Sequence, residues 1–126
     1  MRRKLSATIA FGLVMATSRL ASAAAVLTTP EVYGGSGELK ACTVINVGTK
    51  PVTISVEIIR EDGAPFMSNL KCTLQAGQAD GGCNVTDFAI GGNYCRITVV
   101  KGSKKDIQAA IDLSTAGTSR LVVPAR

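Results

Sequence analysis

The chain contains no histidine and no tryptophan among its 126 residues, and aromatic residues make up only 4% of it. Without an imidazole, serine–histidine and cysteine–histidine nucleophiles, a histidine general base and any histidine metal ligand are excluded. The scarcity of aromatics also removes the usual stacking platform for a carbohydrate, leaving Tyr33 and Tyr94 for that role. Charge is sparse as well, at 18%. The formal +5 is unevenly placed, since Arg2, Arg3, Lys4 and Arg19 precede Ala24 while all nine acidic residues follow it. From Ala24 onward, ten basic side chains face nine acidic ones, a balance of +1. That leaves no electrostatic footprint for nucleic acid.

What is present begins with an N-terminal address. Residues 1–4 carry three positive charges, and residues 5–16 form an apolar run broken only by Ser6, Thr8 and Gly12. Ala21-Ser22-Ala23 then supplies small residues at both positions of an A-x-A site. Charged head, short apolar run and small-residue exit are the parts of a secretory signal peptide, with an expected helix and cleavage between Ala23 and Ala24. A membrane anchor needs about 20 apolar residues, and Arg19 ends this run too early. No other transmembrane candidate follows. The expected divisions are residues 1–23 as signal peptide, 24–37 as a flexible lead-in with an edge strand near Val32, and 38–126 as one folded domain.

The remainder reads as strands. Turn signals recur at Gly48-Thr49-Lys50-Pro51, Glu61-Asp62-Gly63-Ala64-Pro65, residues 76–82, Gly91-Gly92-Asn93, residues 101–105 and residues 114–119. Between them lie segments rich in Val, Ile and Thr, which suit a pleated, half-buried surface. In residues 52–58, Val52, Ile54, Val56 and Ile58 share one face, with Thr53, Ser55 and Glu57 on the other, a period of two. Cys95, Ile97 and Val99 alternate in the same way, as do Cys42, Val44 and Asn46. Residues 106–113 fit both templates, and the alternation of Ile107, Ala109, Ile111 and Leu113 favours a strand. Residues 121–123 form a last short strand stopped by Pro124. Few aromatics remain after Ala24, so the core is expected to be Val, Ile, Leu and Ala.

Four cysteines in an exported chain imply disulfides. A zinc site or a redox dithiol would need C-x-x-C pairs, and positions 42, 72, 83 and 95 contain none. Four cysteines allow three pairings. A turn centred on Gly77 and Gln78 places Cys72 opposite Cys83 across a hairpin, and Cys42 and Cys95, both on inward-facing alternations, then clip opposite sheets together.

The stretch Val44-Ile45-Asn46-Val47-Gly48, a short turn and the alternating strand after it resemble a V-x-N-x-G pattern of small secreted bacterial β-sandwich proteins of the immunoglobulin-like, CARDB-like kind. Leu74-Gln75-Ala76-Gly77 and Tyr94-Cys95-Arg96-Ile97 are similar to the same modules. The resemblance covers about residues 39–113 and implies an all-β, antiparallel sandwich of about seven strands. A true immunoglobulin domain would have a core Trp, and a Tyr two residues before its second Cys. Here Trp is absent and Tyr94 immediately precedes Cys95, so the resemblance implies architecture and transfers no active site.

Other candidates carry bland readings that outweigh the chemical ones. Glu57 with Glu61 or Asp62 is the pairing closest to a glycosidase dyad, yet all three read as solvated charges. Gly34-Gly35-Ser36-Gly37 lacks the Lys and following helix of a phosphate loop and reads as a linker. Lys101, Lys104 and Lys105 on a hairpin turn read as a solubility device, with an anionic partner as the sharper alternative. Asn84-Val85-Thr86 matches a glycosylation acceptor that matters only in a eukaryotic secretory pathway. The expectation is an exported, periplasmic or secreted, non-catalytic module without cofactor or metal, contacting a protein or cell-surface partner. The alternative is a subunit of a surface fibre or layer that assembles by strand addition.

Overall fold

The computed structural model describes residues 24–80 and 82–126. Residues 1–23, on which the signal helix and Ala23 are expected, lie outside the described residues, as does Gly81. The strands are β1 (Ala25–Thr28), β2 (Val32–Gly34), β3 (Glu38–Asn46), β4 (Val52–Arg60), β5 (Pro65–Leu74), β6 (Val85–Asp87), β7 (Gly91–Lys101), β8 (Ile107–Thr115) and β9 (Thr118–Pro124). They form two antiparallel sheets. One has the order β1-β7-β4-β5, with β2 also pairing β7, and the other has the order β6-β3-β8-β9. The expected all-β antiparallel sandwich is thus what the chain forms, with nine strands among the described residues rather than about seven.

The alternating faces of β3, β4, β7 and β8 meet between the sheets. Val44, Val52, Ile54, Val56, Ile58, Ile97, Val99, Ile107, Ile111 and Leu113 fill this core, and the two Phe and two Tyr after Ala24 stay outside it. Residues 106–113 are strand over most of their length, preceded by a short 3-10 turn, Lys104–Asp106.

Residues 24–37, expected as a flexible lead-in, are part of the sandwich. β1 and β2 both lie along β7, with Leu27 paired to Ile97 and Val32 to Asn93. Pro30 interrupts the ladder, because it has no N–H to give. Thr29 holds the junction: its Oγ1 accepts from the Cys95 N–H at 2.9 Å, and its own N–H donates to the Cys95 carbonyl at 3.0 Å. Residues 34–37 are a tight turn into β3 rather than a linker. The Gly35 N–H donates to Glu38 Oε2 at 2.7 Å, and Gly37 takes the left-handed φ of +76°.

Both disulfides form, Cys42–Cys95 and Cys72–Cys83, with Cα atoms 5.8 and 5.7 Å apart. The first joins β3 to β7 through the buried core and so clips the sheets together. The second does not staple a hairpin, because β5 and β6 belong to different sheets. After β5 the chain leaves its sheet and lies along β3. Gly77 donates to the Asn46 carbonyl at 2.8 Å, Asn46 to the Gln78 carbonyl at 3.0 Å and Asp80 to the Val44 carbonyl at 2.7 Å. Residues 101–107 likewise form an arch from β7 to β8 in the opposite sheet, not a hairpin.

Asn46 gives the V-x-N-x-G stretch its physical meaning. It is fully buried, and its Nδ2 donates to the carbonyls of Lys50 at 2.7 Å and Leu74 at 3.1 Å. Its Oδ1 accepts from the Gly48 N–H at 2.9 Å. Gly48 must lack a side chain, since a Cβ there would stand 2.7 Å from the Cβ of Asp106.

Candidate functional site

The alternation that turns Cys42 and Val44 inward along β3 also turns Lys40 inward, and Lys40 has no exposed surface. Its stem lies under β2, where Gly34 leaves the space: a Cβ there would come within 3.0 Å of the Lys40 Cδ. The ammonium donates to the Ala89 carbonyl, and to the Gly91 carbonyl at 3.2 Å. Asp87, opposite Lys40 in the β3–β6 register, is also buried. It accepts from Arg60 Nε at 3.0 Å, Asn93 Nδ2 at 3.1 Å and the Ala89 N–H at 2.8 Å. Arg60 in turn stacks 3.8 Å above the Phe66 ring. Glu61 Oε2 accepts from the Gly92 N–H at 3.2 Å, while its own N–H donates to the Gly92 carbonyl at 3.0 Å.

These contacts fix the backbone of residues 88–92 at Ala89, Gly91 and Gly92. The side chains on either side of Ala89 point away, with Phe88 66% and Ile90 64% exposed. The result is a clamped loop at one end of the sandwich that presents two large apolar side chains to solvent.

Burial pushes the Lys40 amine below its ordinary value, against the opposing pull of the Asp87 carboxylate. Burial pushes Asp87 up, but hydrogen bonds from Arg60, the Ala89 N–H and Asn93 outweigh it and hold the carboxyl below the usual range. Arg60 is raised, chiefly by its hydrogen bond to Asp87. Because the Lys40 amine is committed to two carbonyls and shielded from water, this arrangement is suited to holding a loop.

The residues singled out from sequence are dispersed. Glu57 pairs with Arg96 Nε at 2.7 Å on the outer face of β4 and β7, which raises the Arg96 pKa. Glu61 holds Gly92, and Asp62 Oδ1 accepts from the Ala64 N–H at 2.9 Å, so the three carboxylates have separate structural partners. Tyr33 on β2 is exposed and Tyr94 on β7 is half-buried, both on the outer face of their sheet. Asn84 is exposed just before β6, and Lys101, Lys104 and Lys105 are exposed at the opposite end from the clamped loop. Lys40, Asp87, Asn93, Phe88 and Ile90 were not among the sequence candidates. Extending the Cys42–Val44–Asn46 parity two residues back would have placed Lys40 inside.

A second concavity, of about 700 Å³, is lined by Thr43, Ile45, Gln108, Ala110, Pro124 and neighbours, with Asp80 as its one charged side chain. That carboxylate already accepts from the Val44 N–H at 2.9 Å. Among the described residues no helix is long and apolar enough to cross a membrane.

No protein family and no curated protein matches the chain. A solved structure from Thermotoga maritima, titled "Crystal Structure of Thermotoga maritima 1070", is similar at a TM-score of 0.52 and 9% identity, over 83% of this chain and 95% of that one. At that identity the likeness shows the fold.

Proposed function

We propose that the protein is an exported, non-catalytic β-sandwich module of the immunoglobulin-like, CARDB-like kind, acting in the periplasm or outside the cell through the clamped 88–92 loop. The observation that carries this reading is the exposure of Phe88 and Ile90 on backbone held at Ala89 and Gly91 by the buried Lys40 and Asp87. An aromatic anchor on a rigid loop loses little conformational freedom when a partner covers it, which is how contact surfaces gain affinity. The two disulfides are compatible with an oxidising compartment. A protein or cell-surface partner fits this surface.

One observation favours the second reading, a fibre or layer subunit assembling by strand addition. β5 pairs with β4 alone among the described residues and exposes Phe66, Met67 and Leu70. Against it, β5 opens with Pro65 and carries a bulge at Leu70 and Lys71, where Lys71 takes a φ of 57°, features that blunt an edge. A photo-crosslinking residue placed in turn at positions 88, 90, 67 and 70 of the exported protein tests both. Adducts from 88 and 90 alone support the loop as contact surface, and adducts from 67 and 70 alone support strand addition. Absence of adducts from 88 and 90 overturns the leading reading.

A further inference from the structure

The two ends of the sandwich differ in charge. β7 runs from the clamped loop to Lys101, so its ends are separated by roughly 33 Å at the usual rise per residue. Around Phe88 and Ile90 stand the exposed carboxylates of Glu31, Glu61 and Asp62, none of them in an ion pair among the described residues. The cations at that end already have partners: half-buried Arg60 pairs with Asp87, exposed Arg120 pairs with Glu38, and buried Lys40 holds the loop backbone.

The other end is a compact basic surface. The Val47 N–H donates to the Asp106 carbonyl at 2.8 Å, which brings the 47–51 turn against the 101–106 arch. Gly102 packs on Val52, and Lys101 stands opposite Thr53 on β4. Lys50, Lys101, Lys104 and Lys105 are therefore gathered there with the exposed side chain of Val47, and among the described residues none of the four lysines is in an ion pair. Asp106 is half-buried behind them, and Arg126, bonded to Thr28, adds one cation toward this end.

We propose that the basic end of one copy docks on the Phe88–Ile90 end of another, so that the module associates head to tail. This rests on the reading of the 88–92 loop as the contact surface and names its occupant as a second copy of the chain. An apolar centre ringed by opposite charges is the composition of a specific contact. Because the two surfaces are different, the contact is heterologous and extends into an open row rather than closing as a two-fold dimer. The lysine arch then serves as one half of an interface.

Sedimentation velocity of the oxidised exported chain over a range of concentrations tests this. The wild type is expected to associate with rising concentration at low salt and to return to monomer at about 0.5 M salt, where the Debye length falls to a few ångströms. Glu31→Lys/Asp62→Lys, which leaves Glu61 on Gly92, and Lys104→Glu/Lys105→Glu should each weaken association by about tenfold or more. An equimolar mixture of these two variants should associate more strongly than either alone, because the introduced lysines of one then face the introduced glutamates of the other, while the two unaltered ends keep their complementary charges. Circular dichroism confirms that each variant is folded. A wild type that stays monomeric, charge reversals without effect, or a mixture that stays monomeric would overturn the proposal. If the wild type stays monomeric while position 88 still yields adducts in the exported fraction, the self-docking fails and the loop remains a contact surface for another partner.

Discussion

At the scale of the residue, Lys40 and Asp87 carry the account. A buried ammonium is tolerated here because the Ala89 and Gly91 carbonyls supply it with acceptors. Lys40→Met keeps the stem and removes the donor, and should destabilise the fold by about 1–3 kcal/mol, the usual cost of leaving buried polar groups unpaired. Hydrogen exchange should quicken at residues 88–92 first. The pH dependence has a definite sign. The folded pKa of Lys40 lies below its ordinary 10.5, so between the two values the unfolded chain binds more protons, and stability rises with pH across that window. Urea midpoints measured as pH approaches 10.5 should show this rise in wild type and lose it in Lys40→Met. Asp87 contributes with the same sign in an acid window. Its folded pKa lies below 3.8, so its contribution is present above that value and is lost as pH falls through the folded pKa. Asp87→Asn should be less stable at neutral pH and show a shallower decline in acid. Neither residue was read from the sequence as a site, because a lysine beside a turn is ordinarily solvated. The parity of β3 was legible only from its apolar members.

At the scale of the element, local alternation was legible and the destination of each strand was not. The periods of two in β4, β7 and β8 were legible, and inward parity put Cys42 and Cys95 in the core; Cys72–Cys83 was drawn across a hairpin, and the pair forms although the hairpin does not. The hairpins drawn through Gly77 and through Lys101–Lys105 did not form, because Asn46 and Asp80 bind the 75–80 segment to β3 in the other sheet. β1 was hidden by its brevity and by the Pro30 that follows it. The two disulfides both restrain the sheets, yet they differ in reach, with sequence separations of 53 and 11 residues. Loop-closure entropy assigns them about 4 and about 3 kcal/mol as upper figures. Cys42→Ala/Cys95→Ala also leaves a cavity in the buried core. Its denaturation midpoint, followed by circular dichroism, should fall below that of Cys72→Ala/Cys83→Ala. At the turn before β4, Gly48→Ala forces a Cβ against Asp106 and should destabilise by about 1–3 kcal/mol, as overpacking does. Thermal unfolding checks this, and Gly63→Ser, at a position with open space, serves as a comparison in which only the left-handed φ is strained.

At the scale of the whole molecule, composition and turn spacing pointed to an aliphatic all-β sandwich, and that is the fold. The contact surface was harder to see, because it depends on which end of the sandwich each turn occupies, a property of topology rather than of any local motif. Phe88 and Ile90 are far in sequence from Lys40 and Arg60, and only the stacked sheets bring them together. Everything proposed for the surface presumes that the module is exported and oxidised. Non-reducing peptide mapping of the exported protein, with free thiols alkylated beforehand, tests that premise most directly. The account predicts a chain beginning at Ala24, no alkylated cysteine, and two linked peptide pairs joining Cys42 to Cys95 and Cys72 to Cys83. A chain still beginning at Met1 with all four cysteines alkylated would contradict it.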